Sequence, residues 1–249
     1  MPVTKCIAKS ATAFITLFTL TTATLHADVA FTESDFDFDS YAIGPTISLS
    51  PQDPESTFNV TSSRFTSQEQ GNFILQQFNL NFAPGNFTVI TQPILMNDFV
   101  YDPQTEGAIE SLFASMKIFP VANNLPVTVG QATLFIGQND TLYRAVIDSY
   151  FTNAGATTYS NSNLIETNFL EINDQGLVLD SHPDFDGELM QFAFATAMTK
   201  TGLAASQDHL LMSAFDDLVI RIDSAPVPEP ASLSFLSLGA LALLRRKRQ

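Results

Sequence analysis

The sequence predicts an all-β protein: a single jelly-roll-like antiparallel β-sandwich over residues 28–225, with a distinct segment at each end. Three observations point there. Short runs rich in Phe, Val, Ile and Thr recur between turn clusters. No amphipathic helices intervene between them, so the sheet has nothing but another sheet to pack on. No repeat with a period of about 20 to 50 residues is present, which argues against a solenoid or propeller. The chain holds 22 Phe, so the apolar content is high enough for a core and too high for disorder.

Taken in order, the expected strands are Phe73–Phe82, Phe87–Thr91, Gln131–Ile136, Thr141–Ser149, Leu164–Ile172, Leu189–Thr196 and Ser213–Ile222. In Phe78-Asn79-Leu80-Asn81-Phe82 apolar and polar residues alternate, as a strand buried on one face requires. Turns are expected at Ala83–Asn86, Asn139-Asp140, Asn173–Gly176 and His182–Gly187. The run Gly107–Ile118 is ambiguous: Ala108, Ile109, Leu112, Phe113 and Met116 also fit a helical stripe. Its neighbours are strands, so a strand is the expectation.

The two ends carry addresses. Lys5 and Lys9 precede an uncharged run from Ser10 to Leu25, and Leu25-His26-Ala27 places a small residue at a cleavage point. This is the pattern of a Sec-type signal peptide over 1–27, with the mature chain beginning at Asp28. Cys6, the single cysteine, leaves with it, so the body can form no disulfide and offers no thiolate. At the other end Ala231–Leu244 is uncharged and as a short hydrophobic helix would span about 21 Å, against a bilayer core of about 30 Å. Arg245, Arg246, Lys247 and Arg248 follow and hold that end in the cytoplasm. Pro228 and Pro230 keep Glu229 extended and accessible. A processing signal needs those three parts; an ordinary tail anchor does not.

Val227-Pro228-Glu229-Pro230-Ala231-Ser232, the Leu/Ala/Gly stretch and the basic end resemble a PEP-CTERM sorting signal over 226–249. The resemblance implies an exported protein of a Gram-negative bacterium that makes extracellular polysaccharide. It also implies transient insertion in the inner membrane and removal of the tail by an exosortase-type membrane peptidase. Phe36–Gly44 and Phe215–Ile220 resemble the first and last strands of concanavalin A-like or jelly-roll domains. Tyr101–Ile109 and His182–Phe185 are similar to stretches of uncharacterised PEP-CTERM proteins.

Charge narrows the partners. Within 28–225, 25 Asp and Glu stand against 5 Lys and Arg. Nucleic acid and anionic membrane surfaces are excluded, because both demand a basic face. Divalent cations and solubility outside the cell remain compatible.

Candidate chemistry is sparse. If Glu33–Asp39 is a strand, Glu33, Asp35, Asp37 and Asp39 share one face, about 7 Å apart, with Phe36 and Phe38 on the other. A solvated acidic edge that deters aggregation is one reading. The jelly-roll resemblance implies another, a structural Ca²⁺ between first and last strands, held by Asp37 and Asp39 with Asp216 or Asp217. Asp184–Glu188 is a second acidic loop whose spacing departs from the EF-hand, and an ordinary turn is expected. His182 lies in a turn and His209 in an expected loop, and neither adjoins a nucleophile elbow. No paired-carboxyl signature of a laminarinase-like sandwich occurs. Trp, common on glycan-binding platforms, is absent; Tyr41, Tyr101, Tyr143, Tyr150 and Tyr159 could stack on a sugar ring, although aromatics in a sandwich are more often core.

The reading is an exported, non-catalytic surface or matrix protein, structural or adhesive within exopolysaccharide. A glycan-active enzyme on the same fold and a passive secreted β protein are the alternatives.

Overall fold

The computed structural model describes residues 29–48, 57–68, 71–81, 88–123, 129–151, 154–173, 178–200 and 208–226. The signal segment 1–27, the sorting residues Pro228, Glu229, Pro230, Arg245 and Arg246, and the Ala83–Asn86 turn lie outside them. Among the described residues no helix is long and apolar enough to cross a membrane.

In chain order the strands are β1 (Val29–Glu33), β2 (Tyr41–Ile43), β3 (Ile47–Ser48), β4 (Thr57–Ser67), β5 (Gly71–Asn81), β6 (Thr88–Thr91), β7 (Ile94–Tyr101) and β8 (Ile109–Asn123). They continue as β9 (Val129–Gln138), β10 (Thr141–Phe151), β11 (Thr157–Leu164), β12 (Leu170–Ile172), β13 (Val178–Leu179), β14 (Met190–Lys200) and β15 (Asp208–Ser224). One sheet runs β11-β8-β15-β5-β4, with β1 also on β15. The other runs β13-β12-β10-β9-β14-β6-β3, with β7 on β14 and β2 on β7. Every pairing is antiparallel. The chain passes repeatedly from one sheet to the other, so the expected antiparallel sandwich is what forms.

The core is the alternate residues of the two facing sheets. Ile74, Phe78 and Leu80 of β5 are buried, in phase with the alternation read from Phe78–Asn81. Phe192, Phe194 and Met198 of β14, and Leu134 and Ile136 of β9, meet them from the other sheet. Of the ambiguous run 107–118, residues 109–118 are strand, within β8, and Gly107 caps the short helix Pro103–Glu106 before it. Asn139 and Asp140 both take positive φ, 52° and 61°, as a two-residue hairpin turn demands. Tyr41, Tyr101 and Tyr150 are buried, while Tyr143 and Tyr159 pack against the core from its margin.

Strand β15 organises the first sheet. Along one side it pairs with β8; along the other, β5 covers Asp208–Phe215 and β1 covers Leu218–Ile222. Between them the register breaks, with Asp217 at φ 48°. Before the break odd residues face the core (Leu211, Ser213, Phe215); after it even ones do (Leu218, Ile220, Ile222). One extra residue in a strand has that effect, since side chains alternate with period two.

Three expectations need correction. Glu33–Asp39 is not a strand: β1 ends at Glu33 and a 3₁₀ turn covers Phe38–Ser40. Phe36 turns inward to meet Tyr41 and Phe215 edge-on, and burying that ring outweighs six more residues of strand. The hydroxyl of Ser40 donates to the Asp37 carbonyl at 2.6 Å and fixes the bend. Leu164–Ile172 is not continuous either: β11 ends at Leu164, a 3₁₀ turn covers Glu166–Asn168, and β12 belongs to the other sheet. Phe169, fully buried against Phe185, pins that crossing. His209 lies within β15, not in a loop.

Gly130 gives a test of packing. A Cβ there would overlap the Tyr150 ring, whose hydroxyl shares a hydrogen bond of 3.0 Å with Ser213 of the facing sheet. Gly130→Ala is expected to destabilise by about 2–3 kcal/mol, read as a lowered urea midpoint.

Candidate functional site

The outward face of the first sheet, rather than a cleft, collects the chemistry. On β4 and β5 the outward residues are Asn59, Thr61, Ser63 and Phe65, in register with Asn79, Gln77, Leu75 and Phe73. The Phe65 ring, 47% exposed, stacks on Phe73 with centroids 6.2 Å apart and planes 18° apart. Phe73 in turn meets Phe119 of β8 at 6.3 Å, and the Lys117 ammonium lies 4.9 Å over the Phe119 ring. The result is an aromatic strip across the sheet, bordered by amides and hydroxyls.

The strip also roofs a carboxyl. Strand β15 lies between β5 and β8, which are therefore about 9–10 Å apart. Phe73 and Phe119 can touch only by leaning over β15. Beneath them Ala214 and Asp216 are 1% and 3% exposed although both point outward. Burial, with smaller contributions from the Asp217 and Asp35 carboxylates, raises the Asp216 pKa to about 6; the Asp217 backbone N–H and Lys117 partly oppose it. One carboxylate oxygen, Oδ1, has no hydrogen-bond partner. Asp216 is the single buried acid among the described residues.

The residues named for calcium fall around this joint. The first and last strands do pair, from Val29 opposite Ile222 to Glu33 opposite Leu218. Asp37 and Asp39 are exposed in the bend after β1, and Asp217 sits in the break of β15. Asp37 lies 3.7 Å from Arg64, and Asp217 lies 3.3 Å from Lys117. Among the described residues no three His, Cys, Asp or Glu converge as a metal would require. To hold calcium, Asp37 and Asp217 would have to give up these ion pairs; a fall of several degrees in Tm on adding EDTA would support the ion, and an unchanged Tm would remove it.

The other candidates are structural. In the second acidic loop the Asp184 N–H donates to the Gln138 side chain at 2.7 Å, and Gln138 Nε2 donates to the Asp184 and Glu188 carbonyls at 2.9 and 2.8 Å. His182 Nδ1 is bonded to the Phe169 carbonyl at 2.7 Å. The loop is thus tied down by the Gln138 side chain, and His182 by a main-chain carbonyl.

Phe65, Phe73 and Phe119 escaped the sequence reading, which looked to tyrosine for exposed rings. One signal was present. Phe65 is flanked on both sides by polar residues, Ser62-Ser63-Arg64 and Thr66-Ser67, and a hairpin centred beyond Ser67 sets it opposite Phe73.

Residues 226–249 match the PEP-CTERM protein-sorting motif. The chain is therefore marked for export and exosortase processing. No curated protein sequence matches the chain. Among solved structures it is similar to a family 11 carbohydrate-binding module from Clostridium thermocellum, in complex with a β-1,3-1,4-mixed-linked tetrasaccharide, at 12% identity and TM-score 0.41, covering 78% of this chain and 96% of that one. It is also similar to the CBM22-1 xylan-binding domain from Paenibacillus barcinonensis Xyn10C, at 7% identity and TM-score 0.32, covering 81% and 99%.

Proposed function

We propose that the protein is a non-catalytic, adhesive component of the cell surface or extracellular matrix that holds polysaccharide on the outward face of its first sheet. It leaves the cytoplasm through the Sec machinery, rests briefly in the inner membrane by its C-terminal segment, and is released when exosortase cuts there. The observation that carries the reading is the Phe65–Phe73–Phe119 strip with Asn59, Thr61, Gln77 and Asn79 beside it. A sugar ring offers C–H groups on its face and hydroxyls round its rim. Phenylalanine faces suit the first, and amides and hydroxyls suit the second. An open strip on a sheet face also suits an extended chain, whereas a small molecule calls for a concave pocket.

The test is co-sedimentation of the exported protein with polysaccharide shed by the secreting cells and with a panel of neutral glucans and xylans. Phe65→Ala is expected to weaken retention about tenfold, the loss of one stacking partner of about 1.4 kcal/mol. Phe151→Ala, a more exposed ring on β10 of the other sheet, is expected to change nothing. Equal retention of both variants, or no retention of the parent, would remove the adhesive reading.

A further inference from the structure

Among the described residues six strands (β1, β2, β3, β4, β11 and β13) have a ladder on one side only, and five of them are guarded. β3 and β13 have two residues each and β2 has three. β11 is interrupted by a register break between Asn161 and Leu164. β1 is five residues long and ends in Glu33. Short length, irregularity and charge are how natural sheets prevent edge-to-edge pairing. β4 has none of these. It runs 11 residues in unbroken register with β5, from Thr57 opposite Asn81 to Ser67 opposite Gly71. It contains no proline and no acid, and its one charge, Arg64, is matched by Asp37. Among the described residues no strand pairs with its other side. Alternate N–H and C=O groups along that side point away from β5.

We propose that β4 pairs antiparallel with β4 of a second copy, joining the two six-stranded sheets edge to edge. The sequence of the strand is self-complementary in that arrangement. A two-fold axis at Ser62 sets Thr61 opposite Ser63 and Thr57 opposite Ser67 of the second copy, hydroxyl against hydroxyl. It sets Arg64 opposite Val60, so no like charges meet. Charge elsewhere points the same way. The body is strongly acidic, so two copies repel over most of their surface, and β4 is a strip of 11 residues without a carboxylate. A two-fold perpendicular to the sheet is isologous and closes at a dimer, which prevents runaway addition. Both aromatic strips then lie on one side of the joined sheet. The dimer itself does not depend on the polysaccharide reading.

The test is sedimentation velocity on the exported protein from micromolar to millimolar concentration. A concentration-dependent dimer is expected. Thr61 and Ser63 point to solvent, so replacing both leaves the core untouched. Thr61→Glu with Ser63→Glu sets carboxylates against carboxylates across the axis, and Thr61→Lys with Ser63→Lys does the same with ammonium groups. Each double variant is expected to dimerise at least about tenfold more weakly, and an equimolar mixture of the two is expected to dimerise again. A parent that stays monomeric throughout, variants that dimerise like the parent, or a mixture without rescue would each overturn the proposal.

Discussion

Gln76→Ala is expected to cost about 3–5 kcal/mol, the sum of a cavity and orphaned polar groups, seen as a large fall in urea midpoint with an unchanged slope. Gln76 is fully buried on the inward face of β5. Its Nε2 donates to the Gln92 carbonyl at 2.6 Å and to Ser62 Oγ at 3.0 Å. Its Oε1 accepts from the Thr196 N–H and the Thr196 hydroxyl, both at 2.8 Å. The side chain thus bridges the two sheets with its hydrogen-bonding capacity filled. Truncation leaves the buried Thr196 N–H with no partner in that network. Gln76→Leu keeps the volume, so it is expected to recover the cavity part of the loss and leave the polar part. Equal stability of the leucine variant and the parent would show that the bridge adds nothing net.

Asp216→Asn is expected to stabilise the protein at neutral pH by about 1–3 kcal/mol, since each pKa unit corresponds to about 1.4 kcal/mol. The Asp216 pKa stands near 6 in the folded protein and near the ordinary carboxylate value in the unfolded chain. At pH 8 both states are ionised, and the folded state bears the cost of a carboxylate under aromatic rings. As pH falls through 6 the folded state takes up a proton first, so stability rises. The rise ends near pH 4, where the unfolded chain is protonated too. The parent should therefore gain stability between pH 8 and pH 5, and the asparagine variant should lack that part of the gain. Urea titrations at the two pH values, compared between parent and variant, isolate this group from any other that titrates. Parallel pH profiles would show that Asp216 is well solvated.

The same two residues mark where sequence reading stops. Alternation in Phe78–Asn81 placed β5 and its buried face correctly, because Phe78 and Leu80 are apolar at inward positions. Gln76 occupies the next inward position and is polar. Only the arrival of Ser62, Gln92 and Thr196, from remote parts of the chain, makes its burial tolerable. Asp216 and Asp217 read as an acidic pair in a strand that ends the domain. Their difference in environment comes from the register break and from rings on β5 and β8, neither of which is local. His209 and the Glu33–Asp39 bend differ from expectation for the same reason: pairing with β5 makes a strand where a loop is expected, and Phe36 must reach the core where a strand is expected.

What the sequence settled unaided was class and export. Strand-forming runs between turn clusters require β structure wherever they fold, and a sorting motif is recognised as a linear string, so both are legible without coordinates. What only the tertiary structure decided was which side chains share a surface. Phe65, Phe73 and Phe119 belong to three strands, and they become one strip because β15 inserts between β5 and β8 and is narrow enough for rings to close over it. That choice of neighbours is made by burial of the whole core, a property of the sum of contacts that no short stretch of chain contains.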